Sequence, residues 1–325
     1  ARRLRRRIGW GILAPAMRTY ILRQLLQALF VCLGISLITF LLLHVVGNPV
    51  LLLLPQDASD QDVALLKGKL GLDRPLWAQY LSFLKDAARG DFGQSLFTQE
   101  SAFGLILERM PATLELTLAG MLVGLGIAIP LGVISAIKRG SITDRLCTMG
   151  AVAGQAMPIF WLGIMLIILF AVKFRVLPAS GRGTLWHLVL PAITLGAYLA
   201  PLTMRLTRSG MLDVLTQDYI RTARAKGVVE RVVLFKHALR NAAIPIVTIL
   251  GVQFGRLLGG AVVTETVFAW PGVASLAVKA IRTYDYPVVQ GSVVLLALLI
   301  VVANLLADIA ITYLDPRIRL GKAHG

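Results

Sequence analysis

Few residues in this chain could do covalent or metal chemistry. The four histidines, His44, His187, His237 and His324, are scattered without the spacing of a metal site. Cys32 and Cys147 both lie in apolar stretches, so neither a disulfide nor a cysteine metal site is expected. The sequence has no Gly-x-x-x-x-Gly-Lys-Ser/Thr, no Gly-x-Ser-x-Gly and no His-Glu-x-x-His. No catalytic, cofactor-binding or metal-ligating residue is therefore expected, and any ATP would be hydrolysed by another subunit. The chemistry that remains is docking and the placement of charge in an apolar medium.

The docking candidate is the basic stretch from Gln217 to Asn241. Asp218–Lys226 is helix-prone, Gly227 breaks it, and a second helical stretch is expected from Val229 to Arg240. A short helix, a glycine turn and a second helix make a knob that can enter a groove on a partner. Read more plainly, the same stretch is a charged loop that only sets topology. The second group is polar residues inside apolar sequence: Gln155, Gln253, Arg256, Asn304 and Asp308. A charge at membrane depth is costly and usually faces protein or water. Gln253, Arg256, Asn304 and Asp308 are thus candidate pathway residues. Asn304 and Asp308 share a helix face at i, i+4, and an interfacial ion pair is the plain alternative for Asp308. Gly251, Gly255 and Gly259, at i, i+4 and i+8, form a stripe that allows close helix packing, within one subunit or between two.

These residues sit in a membrane protein. Of 325 residues, 57% are hydrophobic and only 15% charged, against about a quarter charged in soluble domains. The mean hydropathy is +0.75. The net charge of +16 would suggest nucleic acid on a soluble protein. Here the basic residues flank apolar runs, so topology and anionic lipid headgroups account for them and no nucleic-acid partner is expected. A bilayer core needs about 20 apolar residues per helix. Six candidates meet this: Tyr20–Val46, Ala112–Ile137, Leu146–Val172, Leu188–Leu206, Ala242–Glu265 and Val288–Tyr313. The first is too long for a signal-peptide core and is read as a retained span. With the N-terminus inside, 21 Lys and Arg residues fall on the inner side and 11 on the outer. That asymmetry favours both termini in the cytoplasm.

The expected organisation is a basic cytoplasmic arm at 1–19, a first span at 20–46 and an extracytoplasmic helical domain at 47–110. A five-helix core at 111–313 follows, containing the basic loop 211–241, and then a cytoplasmic tail at 314–325. In the outer domain, Asp60 opens a short helix, and Asp73 caps another that Gly90 ends. Leu76, Trp77, Tyr80, Leu81 and Leu84 share one face of that helix. An amphipathic piece, Ser101–Met110, stops at Pro111. The apolar outer segment from Phe268 to Pro287 suits a re-entrant or surface helix, or an interfacial belt of Trp and Tyr.

Motifs spread over the chain carry a family resemblance. Arg221-Thr-Ala-Arg-Ala-Lys-Gly227 and His237-Ala-Leu-Arg-Asn-Ala-Ala-Ile-Pro245 resemble the coupling loop of ABC importer permeases. So do Gly47-Asn-Pro49, Leu70-Gly-Leu-Asp-Arg-Pro75, Gly90-Asp-Phe-Gly-Gln-Ser95, Met157-Pro-Ile-Phe-Trp161, Thr264–Gly272 and Asp315-Pro-Arg-Ile-Arg319 for the dipeptide, oligopeptide and nickel branch. The general motif begins Glu-Ala-Ala, where this chain has Arg221, Thr222 and Ala223, and Gly227 is retained. The usual Gly-Asp-Pro is Gly47-Asn48-Pro49 here.

The resemblance implies an all-α fold of the type I importer kind in a bacterial inner membrane. It implies a second, homologous permease subunit, two cytoplasmic ATPase subunits carrying ATP and Mg, and an extracytoplasmic solute-binding protein. Arg221, Thr222, Ala223, Arg224, Ala225, Lys226 and Gly227 would meet an ATPase. Short peptide is the cargo it favours, and a nickel or metal chelate or another small solute such as glutathione is the alternative. A stand-alone secondary transporter would be a different class, and no internal repeat supports it.

Overall fold

A computed structural model describes residues 26–27, 29–44, 50, 54, 59–69 and 71–314. The basic arm, Gly47-Asn-Pro49 and the Asp315–Arg319 motif fall outside the described residues. Within them the chain is helical, and the only β pairing is an isolated bridge from Gln94 to Ser101.

The described helices are α1 (Leu29–His44), α2 (Asp60–Lys69), α3 (Leu76–Ala87) and α4 (Ala102–Ile137). There follow α5 (Ile142–Ala156) and α6 (Ile159–Leu166), the latter running into π-helical turns Ile167–Lys173. Next come α7 (Leu185–Leu215), α8 (Asp218–Ala225), α9 (Leu239–Val267), α10 (Val273–Arg282) and α11 (Tyr286–Leu314). The described residues divide into two compact units, one formed by those up to 104 with 280–301, the other by 105–279 with 302–314.

Four described helices are long and apolar enough to cross a bilayer: Ala102–Ile137, Leu185–Leu215, Pro245–Val267 and Tyr286–Ala307. The expected span Leu146–Val172 is not one helix. α5 and α6 are bent by 103° at Met157-Pro158. Pro disfavours helical geometry in the residue before it, and Met157 is extended at φ −80°, ψ 123°. Counting the bent pair as one span gives five. The described part of the first expected span is residues 26–27 and α1.

Prolines elsewhere do not stop helices. The expected break at Pro111 is absent, and α4 runs through both Pro111 and Pro130. α7 carries Pro191 and Pro201, and α9 carries Pro245. A proline in a helix interior costs about 3 kcal/mol, so other interactions of these helices must offset it. In an apolar medium the helix is also the cheapest way to satisfy backbone groups.

In the first unit, two sequence expectations are corrected. Asp60 does not cap α2. Ser59 does, its hydroxyl accepting from the Asp62 amide while the Asp62 carboxylate accepts from the Ser59 amide and hydroxyl. That pairing holds the Asp62 carboxyl below its usual range. Asp73 makes no cap either, because Pro75 occupies the N-cap of α3. Leu76, Trp77 and Leu81 on α3 are exposed. The packed face is aromatic instead, linking Phe40 and Tyr80, Tyr80 and Phe83, Phe83 and Phe92, and Phe92 and Phe103. The buried Asp285 accepts from the Ser95 hydroxyl at 2.5 Å and the Leu96 amide at 3.2 Å.

In the second unit, glycines bring α4 and α7 into backbone contact. A Cβ on Gly124 would sit 2.8 Å from the Gly196 carbonyl, and one on Gly196 would sit 2.8 Å from the Gly120 carbonyl. Gly120 and Gly124 are an i, i+4 pair of the kind that permits close approach. α4 is also anchored at two points by buried acids. Thr113 Oγ1 donates to Glu265 at 2.7 Å, and Ser135 Oγ donates to Asp144. The segment after α9 is not a surface belt: Phe268 and Trp270 are buried, and Trp270 Nε1 donates to the Ala112 carbonyl at 2.8 Å.

The α9 stripe is not uniform. A Cβ on Gly251 would collide with Ala307 on α11, whereas one on Gly259 meets nothing within 4 Å. Gly251→Leu should therefore destabilise the isolated chain by about 1–3 kcal/mol, as overpacking does, and Gly259→Leu should leave it unchanged. Thermal unfolding of both variants in detergent checks this, and equal stability would refute the asymmetry.

Candidate coupling site

Arg221–Gly227 lies on α8 and the turn that follows. α8 is only eight residues long, too short to be stable alone, so its seat decides whether it is ordered. Ile220 is its one buried side chain, at 0% exposure. It enters a cluster with Val133 and Ala136 of α4, Met211 of α7, Val233 and Ala238 of the π-helical turns Val233–Ala238, and Ala242 of α9. Ala223 and Val228 pack against the same cluster. Full burial of an aliphatic side chain contributes about 1.5–3 kcal/mol, which makes Ile220 the principal tie between α8 and the long helices.

Gly227 closes the helix in the left-handed region at φ +73°. Its amide donates to the Arg224 carbonyl, and the Val228 amide donates to the Ala223 carbonyl. A branched side chain is strained at that φ, which accounts for the glycine. Beyond the turn, Arg224 grips Glu230 in a bidentate pair at 2.7 and 3.1 Å. Tyr219 Oη accepts from Asn241 Nδ2 at 2.8 Å and ties α8 to the first turn of α9.

The outward surface carries Arg221, Thr222, Ala225 and Lys226, all exposed. Exposed apolar side chains, Tyr219, Val229, Val232 and Phe235, lie beside these charges. A rigid element showing cations next to apolar area suits a protein interface with an acidic groove. It has no nucleophile or metal-ligand geometry. No group of three or more His, Cys, Asp or Glu is placed to hold a metal among the described residues.

The candidate pathway residues are only partly brought together. Gln253 is buried, and its Oε1 accepts from Arg256 Nη1 at a long 3.4 Å. Arg256 is exposed on this chain and pairs with no acid among the described residues. Asn304 lies across from Gly251, and its Oδ1 is buried without a hydrogen-bond partner. Asp308 is on the α11 backbone, but its side chain falls outside the described residues. Gly255 is half-buried.

Sequence reasoning missed two polar centres. Asp144 accepts from Arg208 Nε at 2.8 Å and Nη2 at 2.9 Å, from Ser135 Oγ and from the Gly140 amide. This clamp joins α4, α5 and α7 next to the seat of α8. Its signal was Lys138–Ser141 followed by an acid in the first helical turn, but Arg208, 64 residues away, could be counted only as a loop cation. The other centre is Glu265, whose carboxylate takes the Thr113 hydroxyl and the Ser275 amide at the start of α10. A Cβ on Gly272 would overlap that carboxylate.

The long apolar helices and the bent α5–α6 pair are those of a protein embedded in a membrane. The chain belongs to the binding-protein-dependent transport system inner membrane components, whose family model matches residues 128–320, with the N-terminal model of the same system at 17–117. It is 40% identical to the dipeptide transport system permease protein DppB of Escherichia coli (strain K12), over 94% of this chain and all of that protein. It is 41% identical to the di/tripeptide transport system permease protein DppB of Pseudomonas aeruginosa, over 93% and 99%. The glutathione transport system permease protein GsiC of Escherichia coli (strain K12) is 40% identical over 93% and 99%. Among solved structures, an inward-facing MetNI methionine ABC transporter matches with a TM-score of 0.56 at 21% identity, covering 65% of this chain and 96% of that one. The fold is thus shared well beyond sequence similarity.

The Arg224–Glu230 pair gives the site a pH dependence. The Arg224 guanidinium holds the Glu230 carboxyl below its usual range. The contribution is therefore full above the ordinary carboxylate range and lost as pH falls through the depressed value. Both side chains are about half exposed, so it is worth less than about 1 kcal/mol. Protection factors of the amides in the Gly227 turn, with the intrinsic pH dependence of exchange divided out, should fall on acidification in the wild type. In Glu230→Gln they should already be low at neutral pH; identical protection in the two proteins would exclude the pair as a brace.

Proposed function

We propose that this chain is one of two homologous membrane subunits of an ATP-driven peptide importer. α8 is the element that receives force from an ATPase. The observation that carries this reading is an exposed basic helix whose only buried side chain, Ile220, is locked among three long helices. A push on such a helix is transmitted to α4, α7 and α9 rather than absorbed in a loop. ATP-dependent closure of two partner ATPases would rock the spans between inward- and outward-open states, which requires the ATP-bound partners to prefer one state.

Full-length identity of 40–41% to dipeptide and di/tripeptide permeases supports short peptide as the cargo. Glutathione is the second reading, favoured by a relative equally similar over the same length. Six spans with both termini cytoplasmic, α2 and α3 on the outer side facing a solute-binding protein, and an inner-membrane location fit the charge asymmetry. ATP and Mg would then reside on the ATPases.

Charge reversal at the exposed positions, Arg221→Glu with Lys226→Glu, should reduce capture of the ATPase subunits by the purified membrane pair more than tenfold. Dialanine uptake by reconstituted vesicles should fall with it, while insertion is unchanged. Undiminished capture would rule out α8 as the docking element. Uptake of glutathione but not of dialanine by the wild type would select the second reading.

A further inference from the structure

One cavity in the first unit differs from the apolar grooves of the membrane helices. Its volume is about 370 Å³, and it is lined from α1, α3, the turn before α3 and the start of α11. Small-molecule pockets start at roughly 300 Å³. Its polar lining divides into groups already engaged and groups still free.

The engaged groups form a closed set. His44 contacts the Phe40 carbonyl through Nδ1 at 2.8 Å and Gln79 Oε1 through Nε2 at 3.0 Å. Gln79 Nε2 donates to the Arg74 carbonyl at 2.8 Å, and Tyr286 Oη donates to the Leu43 carbonyl at 2.7 Å. These side chains shape the wall but have little left to offer an occupant.

Three groups are free: the Gln290 amide, the Ser82 hydroxyl and the Arg74 guanidinium. Gln290 is only 7% exposed, lines the cavity and has no hydrogen-bond partner among the described residues. Its amide is reached from the cavity, so an occupant lodged there can bond it. The Arg74 guanidinium likewise makes no ion pair among the described residues, and it presents the planar fork of donors that matches a carboxylate. Among the described residues no acidic side chain lines the cavity, so none of them opposes an anion.

We propose that this cavity binds a small carboxylate-bearing ligand, with Arg74 holding the carboxylate and Gln290 bonding a second polar group of the same molecule. The site is separate from α8, and the inference does not depend on the transport reading.

The test is calorimetric titration of the purified full-length chain in lipid nanodiscs with dialanine, acetate and C-terminally amidated dialanine. Saturable binding of dialanine is expected, weakened at least tenfold by amidation, by Arg74→Ala and by Gln290→Leu, with partial recovery in Arg74→Lys. Binding of both dialanine and acetate would mark a site for small carboxylates in general. Binding of dialanine alone would mark a site for peptide termini. The proposal is overturned if neither binds, if amidated dialanine binds as well as the free acid, or if Arg74→Ala keeps wild-type affinity. Arg74 is exposed, so Arg74→Ala is readable even if Gln290→Leu fails to fold. With no ATPase or binding protein in the sample, failure here leaves the transport reading untouched.

Discussion

Burial of Ile220 is the contact on which the mechanical reading of this protein rests. An eight-residue helix has too few internal hydrogen bonds to persist by itself. α8 is a defined element because Ile220 is surrounded by Val133, Ala136, Met211, Val233, Ala238 and Ala242, drawn from α4, α7, the turns after α8, and α9. The surrounding bonds refine the position that burial sets. Gly227 turns the chain, Arg224 reaches Glu230, and Asn241 holds Tyr219. A helix seated this way is tied to the long helices through its buried side chain.

Those helices are themselves constrained by polar contacts that an apolar medium makes expensive to break. α4 and α7 approach until the glycines at 120, 124 and 196 bring backbone against backbone. Near one end of α4, Thr113 is bonded to the buried Glu265, whose carboxylate also receives the Ser275 amide of α10. Near the other end, Ser135 shares Asp144 with Arg208 of α7. Removing Arg208 would leave the Asp144 charge uncompensated, which costs more than the pair contributes, and removing Thr113 would leave a buried hydrogen bond of Glu265 unmade. α4 is thereby a strut fixed to its neighbours at both ends, and the cluster around Ile220 adjoins the Asp144 end.

The sequence carried the class of the protein and the place of α8 more clearly than the contacts that hold them. Composition and apolar run length exposed the long helices because the bilayer demands about 20 apolar residues regardless of partners. The helix and turn at Arg221–Gly227 were legible because a helix-prone stretch ending in glycine marks a helix end, whereas its docking role came only from the family resemblance. The Met157-Pro158 bend was written as a dipeptide inside a hydrophobic run, and hydropathy alone smoothed over it. Pro111 misled in the opposite sense, since helix packing outweighed its local penalty. Asp144–Arg208 and Thr113–Glu265 join residues 64 and 152 positions apart, and no local pattern announces such pairs. The glycine spacing at 251–259 was noticed, yet backbone meets backbone at Gly120, Gly124 and Gly196, where Gly120 and Gly124 carry the same i, i+4 signature in a less conspicuous setting.

The central claim is that Ile220 transmits motion from α8 to the spans, and it is tested most directly by the coupling ratio of the reconstituted transporter. Peptide taken up per ATP hydrolysed should be measured for the wild type and for Ile220→Ala, which keeps every exposed docking residue. The account predicts that hydrolysis continues while uptake per ATP falls at least tenfold. An unchanged ratio, with α8 still bound to the ATPase, would contradict it.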